Sequence, residues 1–235
     1  MILVRPSDRR GVFDHGGRQF QCTFSCGDYH DPQWMGFGAL RVLNEERVPP
    51  AGALPSQRRA NMELVDIVLA GRLAWRDDQG GAGVLQAGDM RWTGAGRGID
   101  LAESNPDPDV DAHVLRIWLQ PDRLNAAPAS LSRRFDPEAR RGRWALLLSP
   151  DGADGSIAIR LQARLQAIRL QAGVPATFAL DAARRYWLHV AAGDVEAAEH
   201  RLGAGDALGF EVEGGALALA GIADHSEALL LDLPG

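Results

Sequence analysis

Six histidines, two cysteines and no lysine set the chemistry open to this chain of 235 residues. A transition-metal site wants imidazoles, thiolates or carboxylates at short, regular spacing. His15, His30, His113, His189, His200 and His225 do not offer it, because no two of them lie within ten residues of each other. His113 opens the run His-Val-Leu-Arg-Ile-Trp and reads as a hydrogen-bonded structural residue. Cys22 and Cys26 lie in Phe20-Gln-Cys-Thr-Phe-Ser-Cys26. Taken as one extended strand, that segment puts both thiols on one face, roughly 13 Å apart and too far for a disulfide. Both are expected to be buried core residues. The absence of lysine excludes Schiff-base chemistry. No Gly-x-Ser-x-Gly marks a nucleophile elbow. Gly94-Ala-Gly96-Arg-Gly98 lacks the spacing of a nucleotide loop and reads as a turn.

The elements that must position any site are strands. Val65–Gly71, Val114–Leu119 and Tyr186–Val190 are short, rich in β-branched and aromatic residues, and bounded by Gly, Pro or Asp. The 27 glycines and 13 prolines punctuate many tight turns. Ile157–Leu170 alternates like a strand at its start and then admits a helical reading. Arg123–Arg143 is polar, carries Pro128 and Pro137, and reads as a connection between domains.

An internal repeat predicts two similar β-domains. Ala51-Gly52-Ala-Leu-Pro55 returns as Ala172-Gly173-Val-Pro175, Ile67–Gly71 as His189–Gly193, and Leu85-Gln-Ala-Gly88-Asp89 as Leu202-Gly-Ala-Gly205-Asp206. The glycines recur in the same order with nearly the same offsets. They are expected at turns that need positive φ.

Composition narrows the partners. A net charge of −6 opposes direct binding to a phosphate backbone. The one basic cluster, Arg133, Arg134, Arg140, Arg141 and Arg143, reads as a solvated face of the connection. Asp77-Asp78 and Asp107-Pro-Asp109-Val-Asp111 read as solvated turns rather than a calcium loop. No run of about 18 apolar residues is present, so no membrane helix is expected. The start has no long apolar stretch or basic leader, so a cytoplasmic location is the default expectation.

Longer motifs carry a resemblance. Met35-Gly-Phe-Gly-Ala-Leu-Arg-Val42, His15-Gly16, Thr23-Phe-Ser25, Gly52–Glu63, Gly94–Pro106, Arg133-Arg-Phe-Asp136, Leu148-Ser-Pro-Asp151, Asp154-Gly-Ser156 and Leu231-Asp-Leu-Pro234 occur in the order found in the pirin family of bicupins. The resemblance implies an all-β fold of two cupin jelly-roll barrels. The boundaries expected are residues 1–130 for an N-terminal cupin, and residues 131–235 for a C-terminal cupin that includes the connection. In the family the first of two metal-binding stretches carries His-x-His and the second His-x-Glu. The matching positions here are Gln57, Arg59, Leu101 and Glu103. Gln57 is a poor neutral donor, Arg59 is permanently protonated without a lone pair, and Leu101 offers nothing. Only Glu103 keeps a family ligand. Glu63 reads as a packing or hydrogen-bonding partner. The segment of the second repeat, Pro175–Leu180, has no ligand either.

No metal cofactor is therefore expected. The reading is a metal-free, non-catalytic pirin-like bicupin that binds a small molecule or a protein partner, with neither nucleic acid nor membrane as a partner. Two alternatives remain. One is a dioxygenase that uses a divalent metal such as iron on flavonols such as quercetin, as the resemblance implies. The other is a metal-independent enzyme with Glu103 as acid or base. A carboxylate alone in a barrel needs a compensating cation, so Arg59, or failing it Arg58, is expected to pair with Glu103.

Overall fold

The computed structural model describes all 235 residues. They form 22 strands, and the only helical backbone is three single 3-10 turns at Ser7–Arg9, Pro137–Arg140 and Ala153–Gly155. The chain divides into two compact units.

The first unit, Gly11–Phe135 with Ile159–Leu161, holds two sheets. The larger runs β12 (Ala129–Arg134), β9 (Asp89–Gly94), β6 (Glu63–Ala70), β11 (Ala112–Leu119), β4 (Leu40–Val48), β3 (Arg18–Cys22) and β2 (Gly11–His15). The smaller runs β5 (Ala53–Arg59), β10 (Ile99–Ser104), β7 (Arg72–Asp77) and β8 (Ala82–Gln86). Strand alternation sends apolar side chains to a shared interior. Val48, Val68, Leu73, Leu85, Ala112 and Val114 form one buried cluster, and Leu64, Ala95, Ile99 and Leu101 form another against Met62 and Trp118.

The second unit repeats this plan. Its larger sheet runs β1 (Ile2–Arg5), β20 (Ala207–Glu211), β17 (Arg184–Ala192), β22 (Ser226–Pro234), β15 (Arg164–Leu170), β13 (Ala145–Ser149) and β14 (Ile157–Ala158). The smaller runs β16 (Pro175–Leu180), β21 (Gly215–Gly221), β18 (Val195–Ala197) and β19 (His200–Leu202). The order β9-β6-β11-β4 becomes β20-β17-β22-β15, and β5-β10-β7-β8 becomes β16-β21-β18-β19. Both units are thus the same jelly roll. Tyr186, Leu188, Val190, Phe210, Leu217 and Leu230 are among its core residues.

The repeated glycines show why the two copies match. Gly71 and Gly193 have φ of +70° and +69°, and Gly88 and Gly205 have φ of +89° and +87°. A Cβ on Gly71 would also collide with the Asp111 carbonyl oxygen. Gly52 departs from expectation, since its φ is not positive; its Cβ would instead sit 2.8 Å from the Pro49 carbonyl oxygen.

Other local readings shift. The ambiguous Ile157–Leu170 segment is strand at β14 and β15. The Arg123–Arg143 connection contains β12, which pairs with β9 from Ala129↔Gly94 to Arg134↔Asp89. That pairing moves the division between units from residue 130 to Phe135/Asp136, and Met1–Arg10 belongs to the second unit because β1 pairs with β20. Arg133, Arg134, Arg141 and Arg143 are exposed, as a solvated face requires. Arg140 is the exception: it is buried, and its guanidinium lies 2.6 Å from Glu227.

Candidate functional site

A line of polar side chains crosses the larger sheet of the first unit. Register places Cys22 of β3 opposite Asn44 of β4, Asn44 opposite Arg116 of β11, Arg116 opposite Asp66 of β6, and Asp66 opposite Arg91 of β9. Residues directly opposite in antiparallel strands share a face, so this row points one way into the unit. Each charge interrupts an apolar run: Leu64-Val-Asp66-Ile-Val68, Leu115-Arg116-Ile117 and Met90-Arg91-Trp92. All three side chains are buried. Buried charge is costly unless paired and hydrogen-bonded, and here each group has opposite charges on both sides.

Glu103 of β10 completes the network from the smaller sheet. Arg91 Nη2 donates to Glu103 Oε1 at 2.7 Å and to Asp66 Oδ2 at 2.8 Å. Arg116 Nη1 donates to Asp66 Oδ1 at 2.7 Å and to Glu103 Oε1 at 3.0 Å. Arg116 Nη2 lies 2.7 Å from Glu103 Oε2, an ion-pair contact without hydrogen-bond alignment. Arg116 Nε and Arg18 Nη2 both reach Glu46 Oε2, at 3.0 Å and 2.7 Å. The Arg91 guanidinium stacks 4.7 Å from the centre of the Trp75 ring.

These contacts fix the protonation states. Burial pushes the Asp66 carboxyl up, but Arg116 and Arg91 outweigh it and hold Asp66 below the usual carboxylate range. Burial favours the neutral form of Arg116, and Glu103, Glu46 and Asp66 overcome it, raising Arg116 well above its ordinary value.

The structure brings Gln57, Arg59, Leu101 and Glu103 to one cavity of about 60 Å³, together with Arg18, Glu46, Asp66, Arg91, Arg116 and Trp118. A β-bulge between Leu101 and Glu103 shifts the pairing of β10 with β5, so Leu101 faces Gln57 and Glu103 faces Leu54. Leu101 is buried and Gln57 exposed.

The expected Arg59–Glu103 pair is not formed. Arg59 donates to Gln57 Oε1 and lies over the Trp118 ring, 4.8 Å from its centre. Arg58 pairs with Asp100 at 3.2 Å. The cations on Glu103 come instead from Arg91 and Arg116, whose strands hold them closer to its carboxylate. Arg59 is left without a carboxylate at ion-pair distance. Its pKa is lowered, first by burial and then by the nearby Arg116. Four guanidinia line the cavity against three carboxylates, an excess of one positive charge.

Other expected roles fall into place around this network. Glu63 is buried and accepts from Trp92 Nε1 at 2.7 Å and from the Arg160 backbone N–H at 3.2 Å. His113 Nε2 is 2.9 Å from Glu45 Oε2. The turn Gly94–Gly98 joins β9 to β10, with Gly96 and Gly98 at φ of +47° and +132°. Asn105 donates to the Val48, Pro49 and Val110 carbonyls at 3.1, 3.2 and 2.7 Å and so ties down the loop after β10.

The cysteine reading needs correcting. β3 ends at Cys22, and the chain bends at Thr23 and Phe24. Cys26 opens a tight turn in which Cys26 and Tyr29 exchange backbone hydrogen bonds of 3.0 and 3.1 Å. The turn folds back, so that Asn44, the register partner of Cys22, donates from Nδ2 to Cys26 Sγ at 3.3 Å, and both cysteines lie beside one side chain. Strand geometry across the bend was the wrong ruler.

This donor set does not fit a divalent transition metal. A cationic guanidinium stands at position 59 and a hydrocarbon at 101, and both oxygens of Glu103 face guanidinia. In the second unit the corresponding strands β16 and β21 carry only Pro, Ala, Thr, Phe, Leu and Gly.

Comparison with known proteins agrees with the fold. Residues 4–119 match the model of the Pirin family, and residues 146–233 match that of the quercetinase C-terminal cupin domain. A pirin-like protein of Caulobacter vibrioides is 36% identical over 215 residues, covering 91% of this chain and 92% of its own length. An Escherichia coli protein named quercetin 2,3-dioxygenase is 33% identical over 234 residues, covering 100% and 99%. The crystal structure of YhhW from E. coli superposes with a TM-score of 0.95 at 32% identity, covering 100% of this chain and 98% of that one. A second crystal structure, of the bacterial pirin YhhW in complex with nickel(II), gives 0.94 at 32% identity, covering 100% and 99%.

Proposed function

Since this chain belongs to the pirin family of bicupins, we propose that its first barrel is a metal-independent member's binding cavity for a small anion, not an oxygen-activating centre. The observation that carries this is the distribution of charge. Arg91 and Arg116 supply Glu103 with the positive charge that a metal would otherwise bring. That leaves Arg59 at the mouth with only a neutral amide and an aromatic face as partners. A carboxylate or phosphate oxygen could take the free side of its guanidinium, with the apolar part of the ligand against Trp118. The cavity of about 60 Å³ has room for a few waters or one small head group. Cavities that enclose drug-sized molecules run to about 300–1,000 Å³.

The test combines metal analysis of purified protein with a thermal-shift screen of small carboxylates and phosphates. We expect substoichiometric iron, nickel and manganese, a stabilising anion, and loss of that stabilisation in Arg59→Gln. A folded protein that no anion stabilises would overturn the reading.

One observation favours a second reading. A relative 33% identical over its full length bears the name quercetin 2,3-dioxygenase. Stoichiometric metal together with oxygen-dependent loss of quercetin would establish that function here. The third reading, Glu103 as acid or base, fits less well because both of its oxygens face guanidinia.

A further inference from the structure

The cavity network ends at a feature that anion binding does not use. The polar row continues from Arg116 through Asn44 to Cys22, which is fully buried. Asn44 Nδ2 donates to Cys26 Sγ at 3.3 Å. Cys26 is half-buried. Its turn is anchored: the Tyr29 ring lies where a Cβ on Gly11 would be, and Gly11 is the register partner of Cys22. Gly27, inside the turn, has a φ of +57° and lies beneath Phe13. These contacts hold two cysteines of different exposure beside the same Asn44 side chain.

We propose that Cys26 and Cys22 form a hydroperoxide-sensitive dithiol, with Cys26 the attacking thiolate and Cys22 the resolving thiol. In the first step the Cys26 thiolate attacks the terminal oxygen of a hydroperoxide. A sulfur–oxygen bond forms, the oxygen–oxygen bond breaks, and the leaving alkoxide or hydroxide takes a proton from solvent. Cys26 is then a sulfenic acid. In the second step the Cys22 sulfur attacks the Cys26 sulfur. The disulfide forms, the sulfur–oxygen bond breaks, and water leaves with the Cys22 proton. The two electrons passed to the hydroperoxide are those lost by the two thiols. A small-molecule thiol or a thioredoxin-type dithiol reverses the reaction by exchange.

The surroundings favour this division of labour. The neighbouring Cys22 thiol is the main influence lowering the Cys26 thiol to about 6. Burial and the Glu46 carboxylate oppose it, while Asn44 and the Arg59 guanidinium assist. A lower thiolate pKa also lowers intrinsic nucleophilicity, so the diagnostic quantity is the pH midpoint of reaction rather than its rate.

The full chain, reduced and then treated with hydrogen peroxide, is digested with trypsin and weighed. The peptide Gln19–Arg41 is expected to lose two hydrogens and regain them with dithiothreitol. Cys22→Ser is expected to stop at a sulfenic acid that dimedone captures on Cys26. Cys26→Ser is expected to leave Cys22 unmodified, since it is fully buried. Because Cys22→Ser alters the core, Cys26→Ser and the unmodified chain carry the decisive arms. Iodoacetamide labelling of Cys26 should have its midpoint near pH 6, against about 8.5 for an ordinary cysteine. A folded protein that gives only intermolecular disulfides, or none, overturns the proposal. So does a Cys26 labelling midpoint at the ordinary value.

Discussion

Arg91, Arg116, Asp66 and Glu103 act as one unit, and that sets the energetics at the residue scale. Removing Arg91 takes one of two cations from both Asp66 and Glu103, carboxylates in a buried setting, and leaves them to share Arg116. Arg91→Ala is expected to cost about 3–5 kcal/mol, read from the midpoint of urea unfolding. Arg59 makes one hydrogen bond to a neutral side chain and one ring contact, so Arg59→Ala should cost only about 0.5–1 kcal/mol. Equal losses in the two variants would contradict the assigned pairing. The same network predicts a pH dependence. Asp66 is held below its unfolded value, so it stabilises the fold above pH about 4. As pH falls below that value the unfolded chain takes up the proton first, and stability is lost on the way down to the folded pKa. Asp66→Asn is expected to be less stable at pH 7 and to flatten the acid limb of a stability-versus-pH curve. An unchanged acid limb would mean that other carboxylates govern acid unfolding.

At the scale of strands, β5 and β10 present the cavity positions, while β6, β9 and β11 present the charges that changed its character. Restoring the presenting strands alone should therefore fail to restore a metal centre. Gln57→His with Arg59→His and Leu101→His would set three imidazoles beside Glu103. Arg91 and Arg116 would still hold that carboxylate and repel a dication. Calorimetric titration of the folded triple variant with nickel is expected to show no stoichiometric binding. A one-to-one isotherm would show that the guanidinia can give way. Among the strands, β-rich composition bounded by turn residues made β6, β11 and β17 legible beforehand. β12 was hidden because Ala129–Arg134 is polar, with most of its side chains exposed, and is held by backbone pairing to β9. Nothing in its side-chain pattern marks such an edge strand.

For the molecule as a whole, the two units share one plan but differ in how they obtain an edge strand. In the first unit β12, which follows β11 in the chain, lies beside β9; in the second, β1 lies beside the equivalent β20. Ser7 reinforces this join by donating its N–H to Asp206 Oδ1 at 2.6 Å. Deleting residues 1–10 removes the partner of Ala207–Glu211 and exposes an unpaired edge. Amide exchange at Ala207–Glu211 should accelerate in that variant, and the protein should associate as its concentration rises. Unchanged protection there would show that β20 does not depend on β1.

What the sequence settled by itself was local or periodic. Glycines at repeated offsets announced two copies of one fold, because positive φ at Gly71, Gly88, Gly193 and Gly205 is a demand that glycine meets at least steric cost. The poor ligand chemistry of the Gln57, Arg59 and Leu101 side chains was equally plain, since donor capacity belongs to the side chain and not to its surroundings. Tertiary structure decided the partners. Asp66, Arg91 and Arg116 are separated along the chain, and each shows in sequence only as a lone charge within an apolar strand. That is a sign of buried pairing without an address. Antiparallel register put them opposite one another and delivered Glu103 to them rather than to Arg59. A bend at Thr23 and Phe24 likewise brought Cys26 back to Asn44, the register partner of Cys22, because one turn outweighs four residues of extended spacing. Side-chain chemistry can be read from the chain one residue at a time, whereas proximity depends on strand pairing and turns summed over the fold.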